Sequence, residues 1–157
     1  MFHKMENYYE SQKEDFLIST NPALLDADII HGYLSGQSYW AEGIPMEVVK
    51  KSLANSLCFG LYKAHQQVGF ARLITDKATF AYLADVFILE EYRGRGLSKW
   101  MMQVIHEHPE LQGLRRWMLG TRDAHGLYKQ FGWEPLGEEA CARFMQLHNK
   151  DVYRKKS

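Results

Sequence analysis

The sequence feature that most constrains the fold is an apolar run that leads, through a turn rich in arginine and glycine, into a helical pattern. Residues 86–89 read VFIL, residues 93–98 read RGRGLS, and apolar side chains then recur three and four positions apart. The positions with this spacing are Leu97, Trp100, Met101, Val104 and Ile105. The spacing predicts an amphipathic helix that packs one face against a core. The segment is therefore predicted to form a buried strand, a tight turn and a helix in direct succession.

The turn between this strand and this helix has the composition of an anion-binding site. Gly94 and Gly96 allow backbone conformations that turn N–H groups inward and that a side chain would obstruct. The helix adds its unpaired first-turn N–H groups and the positive end of its dipole. Arg93 and Arg95 supply full charges on forks that match phosphate geometry. Two common phosphate loops, GxGxxG and Walker A, require a glycine where Lys99 stands, so neither loop is present.

This turn resembles the acyl-CoA signature of the GNAT superfamily of N-acyltransferases, which is Gln or Arg, two residues, Gly, one residue, then Gly or Ala. Arg93 and Gly96 match the signature, and Ser98 stands where Gly or Ala is usual. The resemblance implies that acetyl-CoA is the co-substrate and that the turn and the start of the helix hold it. The residues implied are Arg93, Gly94, Arg95, Gly96, Leu97, Ser98 and Lys99.

A later stretch resembles the second hallmark of that family. The family pattern is a strand, then Asn-x-x-Ala-x-x-Leu-Tyr on a helix, then a strand that begins with Gly and an aromatic residue. Here residues 116–121 (RWMLGT) read as a short buried strand, and residues 123–133 read DAHGLYKQFGW. Thr121 occupies the place often held by the Asn. The matching residues are Ala124, Leu127, Tyr128, Phe131, Gly132 and Trp133. The resemblance covers residues 48–147.

The resemblance and the hydrophobic pattern together predict an α/β fold of the mixed α+β kind. Residues 1–157 are expected to form a single GNAT-like domain with a mixed, mostly antiparallel sheet of about six or seven strands and helices on both faces. The pattern predicts strands at residues 16–19, 57–63, 68–75, 79–89, 116–121 and 143–148. Helices are predicted to start at Pro22, after Pro45, at residue 97 and at residue 124.

In the family, the strand before the Arg-Gly turn and the next parallel strand splay apart, and the gap takes up the pantetheine arm. The resemblance implies that residues 82–89 and 117–121 are these strands. Backbone groups of Val86, Phe87 and Ile88 would then contact the cofactor, as would Thr121. The side chains of residues 86–89 also suit an ordinary buried strand.

Tyr128 is placed by the second motif where a phenol could donate a proton to the departing thiolate. A phenol is neutral and able to donate at pH 7, so it suits this role. The alternative is that Tyr128 is a core aromatic residue beside Leu127 and Phe131.

The base that deprotonates the amine is harder to identify from the sequence. Asp85 precedes the cofactor turn in an otherwise apolar strand, and it could serve as a base or as an anchor for the amine. It could equally pair with Arg72 across the predicted hairpin. His31, His65 and His125 are the remaining alternatives.

The acceptor site is predicted to lie beside the aromatic loop between the first two helices. Tyr39 and Trp40 could hold an ammonium group by cation–π contact, and Glu42 could attract a cationic substrate. These two aromatic side chains could equally anchor the loop to the core, and Glu42 could simply be solvated.

Charge and cysteine content exclude several other functions. The 157 residues contain 19 Lys and Arg and 19 Asp and Glu, so no net charge favours nucleic acid or an anionic membrane. Two cysteines and the absence of an apolar run long enough to span a bilayer predict a cytoplasmic protein. His106 and His108 lie on different faces of a helix, which is poor geometry for a metal site, so no metal is predicted.

The sequence therefore predicts an acyl-CoA-dependent N-acyltransferase, most simply an N-acetyltransferase. The resemblance implies direct attack of a primary amine on acetyl-CoA in a ternary complex, with Tyr128 protonating the leaving thiolate. The acceptor is expected to be a small-molecule or peptide amine, and the protein a monomer or a homodimer. The alternative is a non-catalytic acyl-CoA-binding or regulatory module on the same fold. A nucleotide-binding domain is a weaker third candidate, because both phosphate-loop patterns fail.

Overall fold

The computed structural model describes residues 7–154, so residues 1–6 and 155–157 of the predicted domain 1–157 lie outside the described part. The strands are β1 Glu10–Lys13, β2 Phe16–Ser19, β3 Leu57–Lys63, β4 Gln66–Thr75, β5 Phe80–Ile88 and β6 Arg116–Leu119. The helices are α1 Ala27–Gly36, α2 Met46–Ala54, α3 Leu97–Glu107, α4 His125–Lys129 and α5 Glu138–Arg143.

The strands form one mixed sheet with helices on both faces, which confirms the predicted fold class. Strands β1 to β6 lie side by side in chain order, and every pair is antiparallel except β5 with β6. One apolar cluster lies under α3 and includes Phe59, Leu61 and Met101. The other lies under α1 and α2 and includes Ile30 and Val49. Alternate side chains of the strands therefore fill two separate cores, as period-two strands require.

Strand β5 contains a bulge at its middle. The register with β4 moves from Phe70↔Phe87 to Arg72↔Ala84, so an extra residue of β5 is accommodated between these pairs. Asp85 lies there with φ 54°, in the left-handed region that residues other than glycine seldom occupy. The parallel pairing with β6 ends at Leu83↔Leu119, whereas β5 continues to Ile88. The bulge thus coincides with the point where β5 leaves its neighbour.

Three predictions about secondary structure were wrong in detail. The helix predicted from Pro22 is divided into a short 3₁₀ turn, Pro22–Leu24, and α1, because the Asp26 carboxylate accepts N–H bonds from Asp28 and Ile29 and starts a new helix. The predicted strand at residues 143–148 is absent, since Arg143 ends α5 and residues 144–149 pair with no strand among residues 7–154. The strand expected to begin at Gly132 and Trp133 is likewise not formed.

The two cysteine thiols lie in different environments. Cys58 is buried in the cluster under α1 and α2, and burial raises the pKa of its thiol to about 12. The Cys58 thiol faces the carbonyl groups of Leu53 and Ser56. Cys141 lies on α5 and is exposed. Both are free thiols.

Two histidines are held neutral by the core. His108 is buried at the end of α3, where its ring meets Tyr9 and Phe59 edge-on and its Nδ1 accepts the Glu110 N–H at 3.1 Å. The His106 Nε2 atom accepts the Trp133 indole N–H at 2.9 Å. Burial lowers the pKa of both imidazoles below the ordinary value.

These histidines predict a loss of stability on mild acidification. Below about pH 6.5 the unfolded chain binds protons that the folded chain excludes, so the free energy of unfolding should fall as pH drops. We expect this fall between pH 7 and 5.5 in urea titrations. His108→Asn should reduce this pH dependence, whereas His65→Asn, at an exposed turn residue with φ 67°, should not. An unchanged slope for His108→Asn would contradict the interpretation.

Candidate active site

An open cleft of about 650 Å³ lies where β5 and β6 separate. Its walls come from the loop between α1 and α2, the second half of β5, the residues after β6, and α4. Two residues from the last part of the chain, His148 and Tyr153, also line it. Six of the residues that the sequence singled out line this cleft, although they lie far apart in the chain: Tyr39, Trp40, Asp85, Val86, Thr121 and Tyr128.

The Arg-Gly turn lies at the carboxyl end of β5 and has the predicted backbone. Gly94 and Gly96 have φ angles of 78° and 76°, where side chains are strained. A Cβ atom on either glycine would meet nothing within 4 Å, so the conformation and not the space requires glycine. Helix α3 starts immediately afterwards without a side-chain cap, which leaves its first-turn N–H groups free for an anion.

The cationic side chains of the turn differ in the contacts that they already make within the protein. The Arg93 guanidinium donates from Nε to the Ile88 carbonyl and from one Nη to the Tyr33 hydroxyl, both at 3.0 Å. It therefore braces the end of β5 against α1. The Arg95 guanidinium lies 5.5 Å from the centre of the Tyr92 ring and remains exposed, as does Lys99. These two side chains are the more available charges for a phosphate.

The other predicted cofactor residues contribute mainly through their backbone. The side chains of Phe87, Ile88 and Leu97 are buried in the core, so only their main chain could reach a ligand. Val86 lines the cleft, and Ser98 is half-buried at the start of α3. The Thr121 hydroxyl accepts the Ala124 N–H at 3.0 Å and so shapes the entry to α4. Main-chain groups of β5 beyond Leu83 face the side that β6 has left.

Tyr128 lies on α4 between two hollows. It lines the cleft and also a second hollow of about 360 Å³ on its other side. Burial raises the pKa of the phenol to about 12, and the neighbouring Tyr39 phenol and Asp123 carboxylate act in the same direction. Among residues 7–154, no acceptor is hydrogen-bonded to the Tyr128 hydroxyl. The group is thus a neutral donor that none of the described residues engages.

Asp85 is held by two partners on opposite sides of the cleft. Its Oδ2 accepts from the Arg72 Nε atom at 2.8 Å, and its Oδ1 accepts from the Trp40 indole N–H at 2.8 Å. Arg72 also donates to the Ser56 hydroxyl at 3.1 Å. The side chains of Asp85 and Arg72 are only 9% and 15% exposed. Both carboxylate oxygens therefore already accept hydrogen bonds within the protein. The pairing with Arg72 is one of the alternatives that the sequence left open for Asp85.

Tyr39 and Trp40, in the aromatic loop, line the cleft. The Tyr39 hydroxyl accepts the Arg122 N–H at 3.0 Å, and the Arg122 guanidinium lies 3.9 Å from the centre of the Tyr39 ring. The Tyr39 and Trp40 rings meet edge-on at 5.0 Å. Glu42 is exposed and lies outside the set of residues that line the cleft, so the structure does not bring it to this site.

The histidines considered as bases lie elsewhere. The His31 Nε2 atom is 3.0 Å from the Ile44 carbonyl oxygen, and His65 lies in the turn between β3 and β4. His125 begins α4 and lines the second hollow rather than the cleft. Sequence reasoning missed His148 and Tyr153, because no local pattern indicates that the last residues fold back to α1 and α2.

Other kinds of site were also sought in the described residues. Within residues 7–154, no group of three His, Cys, Asp or Glu side chains is arranged to hold a metal ion. No helix in the same range has the length and apolar character needed to cross a membrane.

Comparison with known proteins gives consistent results. Residues 54–135 match the family model described as Acetyltransferase (GNAT) domain. A curated protein of Gibberella zeae named "Putative acetyltransferase FG08082" is 40% identical over 147 residues, covering 79% of this chain and 82% of that protein. A GNAT-family crystal structure from Xanthomonas campestris pv. campestris is 46% identical with a TM-score of 0.85, covering 89% of this chain and 97% of that one.

A more distant structure carries a ligand. It is a GNAT family acetyltransferase from Elizabethkingia anophelis with acetyl-CoA bound, 12% identical, with a TM-score of 0.56 and 76% of each chain covered. At this identity the likeness concerns the fold.

The Arg72–Asp85 pair predicts a strong dependence of stability on both partners. Arg72→Met leaves the Asp85 carboxylate nearly buried without its countercharge, which should lower the free energy of unfolding by about 3 kcal/mol in denaturant titrations. Asp85→Asn should cost less, since asparagine tolerates the left-handed backbone. The double variant should lose less than the sum of the two single losses. Strict additivity would show that the pair does not interact.

Proposed function

Because the chain belongs to the GNAT family of acetyltransferases, we propose that it moves the acetyl group of acetyl-CoA to a primary amine by direct attack in a ternary complex. The observation that carries this mechanism is Tyr128. Its neutral hydroxyl lines the cleft at the point where β5 and β6 separate, with no protein acceptor among residues 7–154. A donor left free in this position suits a leaving group that must be protonated.

The chain's residues fit a coenzyme A molecule at the carboxyl end of β5. The N–H groups of residues 94–98 and the exposed charges of Arg95 and Lys99 would hold the phosphates. The main chain of residues 86–88 would pair with the amides of the pantetheine arm on the side that β6 leaves open. Acetyl-CoA supplies an activated acyl carbon as a thioester. The remaining chemistry belongs to the protein and the amine.

The transfer requires two proton movements. The amine nitrogen forms a bond to the acyl carbon, the carbon–sulfur bond breaks, and the thiolate takes the proton of the Tyr128 hydroxyl. The amine must also lose a proton, because at pH 7 the free base of an ordinary amine is about 4 kcal/mol above its ammonium form. The Asp85 carboxylate, engaged by Arg72 and Trp40, is better suited to fixing the Trp40 side of the cleft than to taking that proton.

The acceptor we propose is a small-molecule or peptide amine. The aromatic wall of Tyr39 and Trp40 can contact the amine end of such a substrate by cation–π interaction. With a net charge of zero, the protein has no field that would draw nucleic acid. The two free cysteines suit a reducing compartment, so we place the reaction in the cytoplasm.

The glycine turn is tested by Gly96→Val. A β-branched residue is strained at a φ of 76°, so the turn should leave the conformation that presents its N–H groups. We expect the dissociation constant for coenzyme A, measured by calorimetry, to rise at least about tenfold, which corresponds to roughly 1.4 kcal/mol. Gly32→Val in α1, where a Cβ also meets nothing within 4 Å, is the matched control. Equal affinities for the two variants would remove the turn from the cofactor site.

The proposed activity is tested by thiol release from acetyl-CoA with a panel of primary amines. Tyr128→Phe removes only the hydroxyl, so kcat should fall about 10²- to 10⁴-fold while coenzyme A binding is retained. Tyr62→Phe is the matched control, since the Tyr62 hydroxyl is buried and unpaired among the described residues. An unchanged kcat for Tyr128→Phe would make Tyr128 a core residue. Binding of coenzyme A without turnover of any amine would indicate a non-catalytic acyl-CoA-binding module.

A further inference from the structure

The last described residues of the chain return to the cleft and are fixed there. Tyr153 packs against the apolar cluster under α1 and α2. Its carbonyl oxygen would lie 3.1 Å from a Cβ on Gly43, a residue with a φ of 78°, so the two backbones approach closely only because residue 43 is glycine. The Asn149 carbonyl accepts the Val152 N–H, and the Asp151 carbonyl accepts the Arg154 N–H. These turns and the Tyr153 anchor hold the segment against the loop between α1 and α2.

This anchoring places His148 among the residues that line the cleft. His148 lines the same cleft as Tyr128 and Asp85, and its ring is exposed to solvent. Among residues 7–154 the His148 ring has no hydrogen-bond or ion-pair partner. The histidine is therefore presented to the cleft by a fixed segment, and neither nitrogen is engaged by the protein.

The other charged and titratable side chains that face the cleft are less suited to accept a proton from the amine. Asp85 is committed to Arg72 and Trp40, and Arg72 and Arg122 are permanent cations. Asp123 lies near the proposed proton donor Tyr128, and its charge raises the pKa of the Tyr128 hydroxyl. The remaining groups are phenols, which are neutral at pH 7. They are Tyr39, Tyr82, Tyr128 and Tyr153. Imidazole alone in this set accepts and releases protons readily near neutral pH.

We propose that His148 takes the proton from the acceptor amine, an inference that rests on the proposed acetyl transfer. One imidazole nitrogen accepts the proton, and the freed lone pair of the amine forms the new nitrogen–carbon bond. The carbon–sulfur bond breaks, and Tyr128 gives its proton to the sulfur. The nitrogen, now bonded to the acyl carbon, loses its second proton through water to the Tyr128 phenolate, and the imidazolium releases the first proton to water through the open cleft. The acceptor amine lies between the aromatic loop and the last segment of the chain.

The test is His148→Ala, assayed with the amine that the wild-type protein acetylates best. We expect kcat/KM for the amine to fall about 10²-fold, with coenzyme A affinity unchanged by calorimetry. Added imidazole should restore a large part of the lost rate, which a merely structural role would not allow. Met145→Ala is the matched control, because this neighbouring side chain is 97% exposed and lies outside the cleft.

Each contrary result has a distinct meaning. Wild-type rates in His148→Ala would overturn the proposal while leaving the acetyl transfer intact. A rise in KM for the amine without imidazole rescue would also overturn it, and would make His148 a wall of the acceptor site. An equal loss in Met145→Ala would assign the effect to the segment as a whole. Absence of turnover in the wild-type protein with every amine would overturn both this inference and the proposed function.

Discussion

The cleft depends on the early end of pairing between β5 and β6. The two strands pair through four residues, after which the bulge at Asp85 turns the rest of β5 away. A left-handed residue other than glycine costs roughly 1–2 kcal/mol, so the bulge needs support from its surroundings. That support is the Arg72 guanidinium and the Trp40 indole, which together fix the Asp85 carboxylate. The same contacts tie the aromatic loop to the sheet, so one side chain organises both the gap in the sheet and a wall of the cleft.

The elements that could be predicted from the sequence are those set by neighbours in the chain. Apolar segments bounded by turn residues located β3, β4 and β5, and helical spacing located α3 with its first residue at Leu97. Gly94 and Gly96 have the left-handed backbone that a tight strand-to-helix turn requires. The strand predicted at residues 143–148 was wrong because apolar residues in a short segment show only that the segment could be a strand. A strand also needs a partner, and within residues 7–154 this segment has none.

The same distinction applies to the site residues: features set by neighbours in the chain could be predicted, and features set by contacts across the fold could not. The family resemblance singled out Tyr128 and the Arg-Gly turn by their order and spacing. In the structure Tyr128 lines the cleft, and the turn follows the end of β5. The use of each side chain could not be predicted, because it depends on contacts across the fold. Arg93 is turned toward Ile88 and Tyr33, Glu42 faces solvent away from the cleft, and His148 arrives from the last part of the chain. The Arg93–Tyr33 hydrogen bond joins residues 60 positions apart, so it leaves no local pattern in the sequence.

The contrast between the two cysteines has a practical consequence for any protein that works beside a thioester. Cys58 is buried and the pKa of its thiol is raised to about 12, so we expect this thiol to stay protonated and to react slowly with acyl groups and thiol reagents in the folded state. Cys141 is exposed on the rim of the hollow beside Tyr128. Titration with a thiol-specific chromophore should therefore report one fast thiol per native chain and a second only on unfolding. The number of fast-reacting thiols per chain therefore reports the fraction of the protein that is folded.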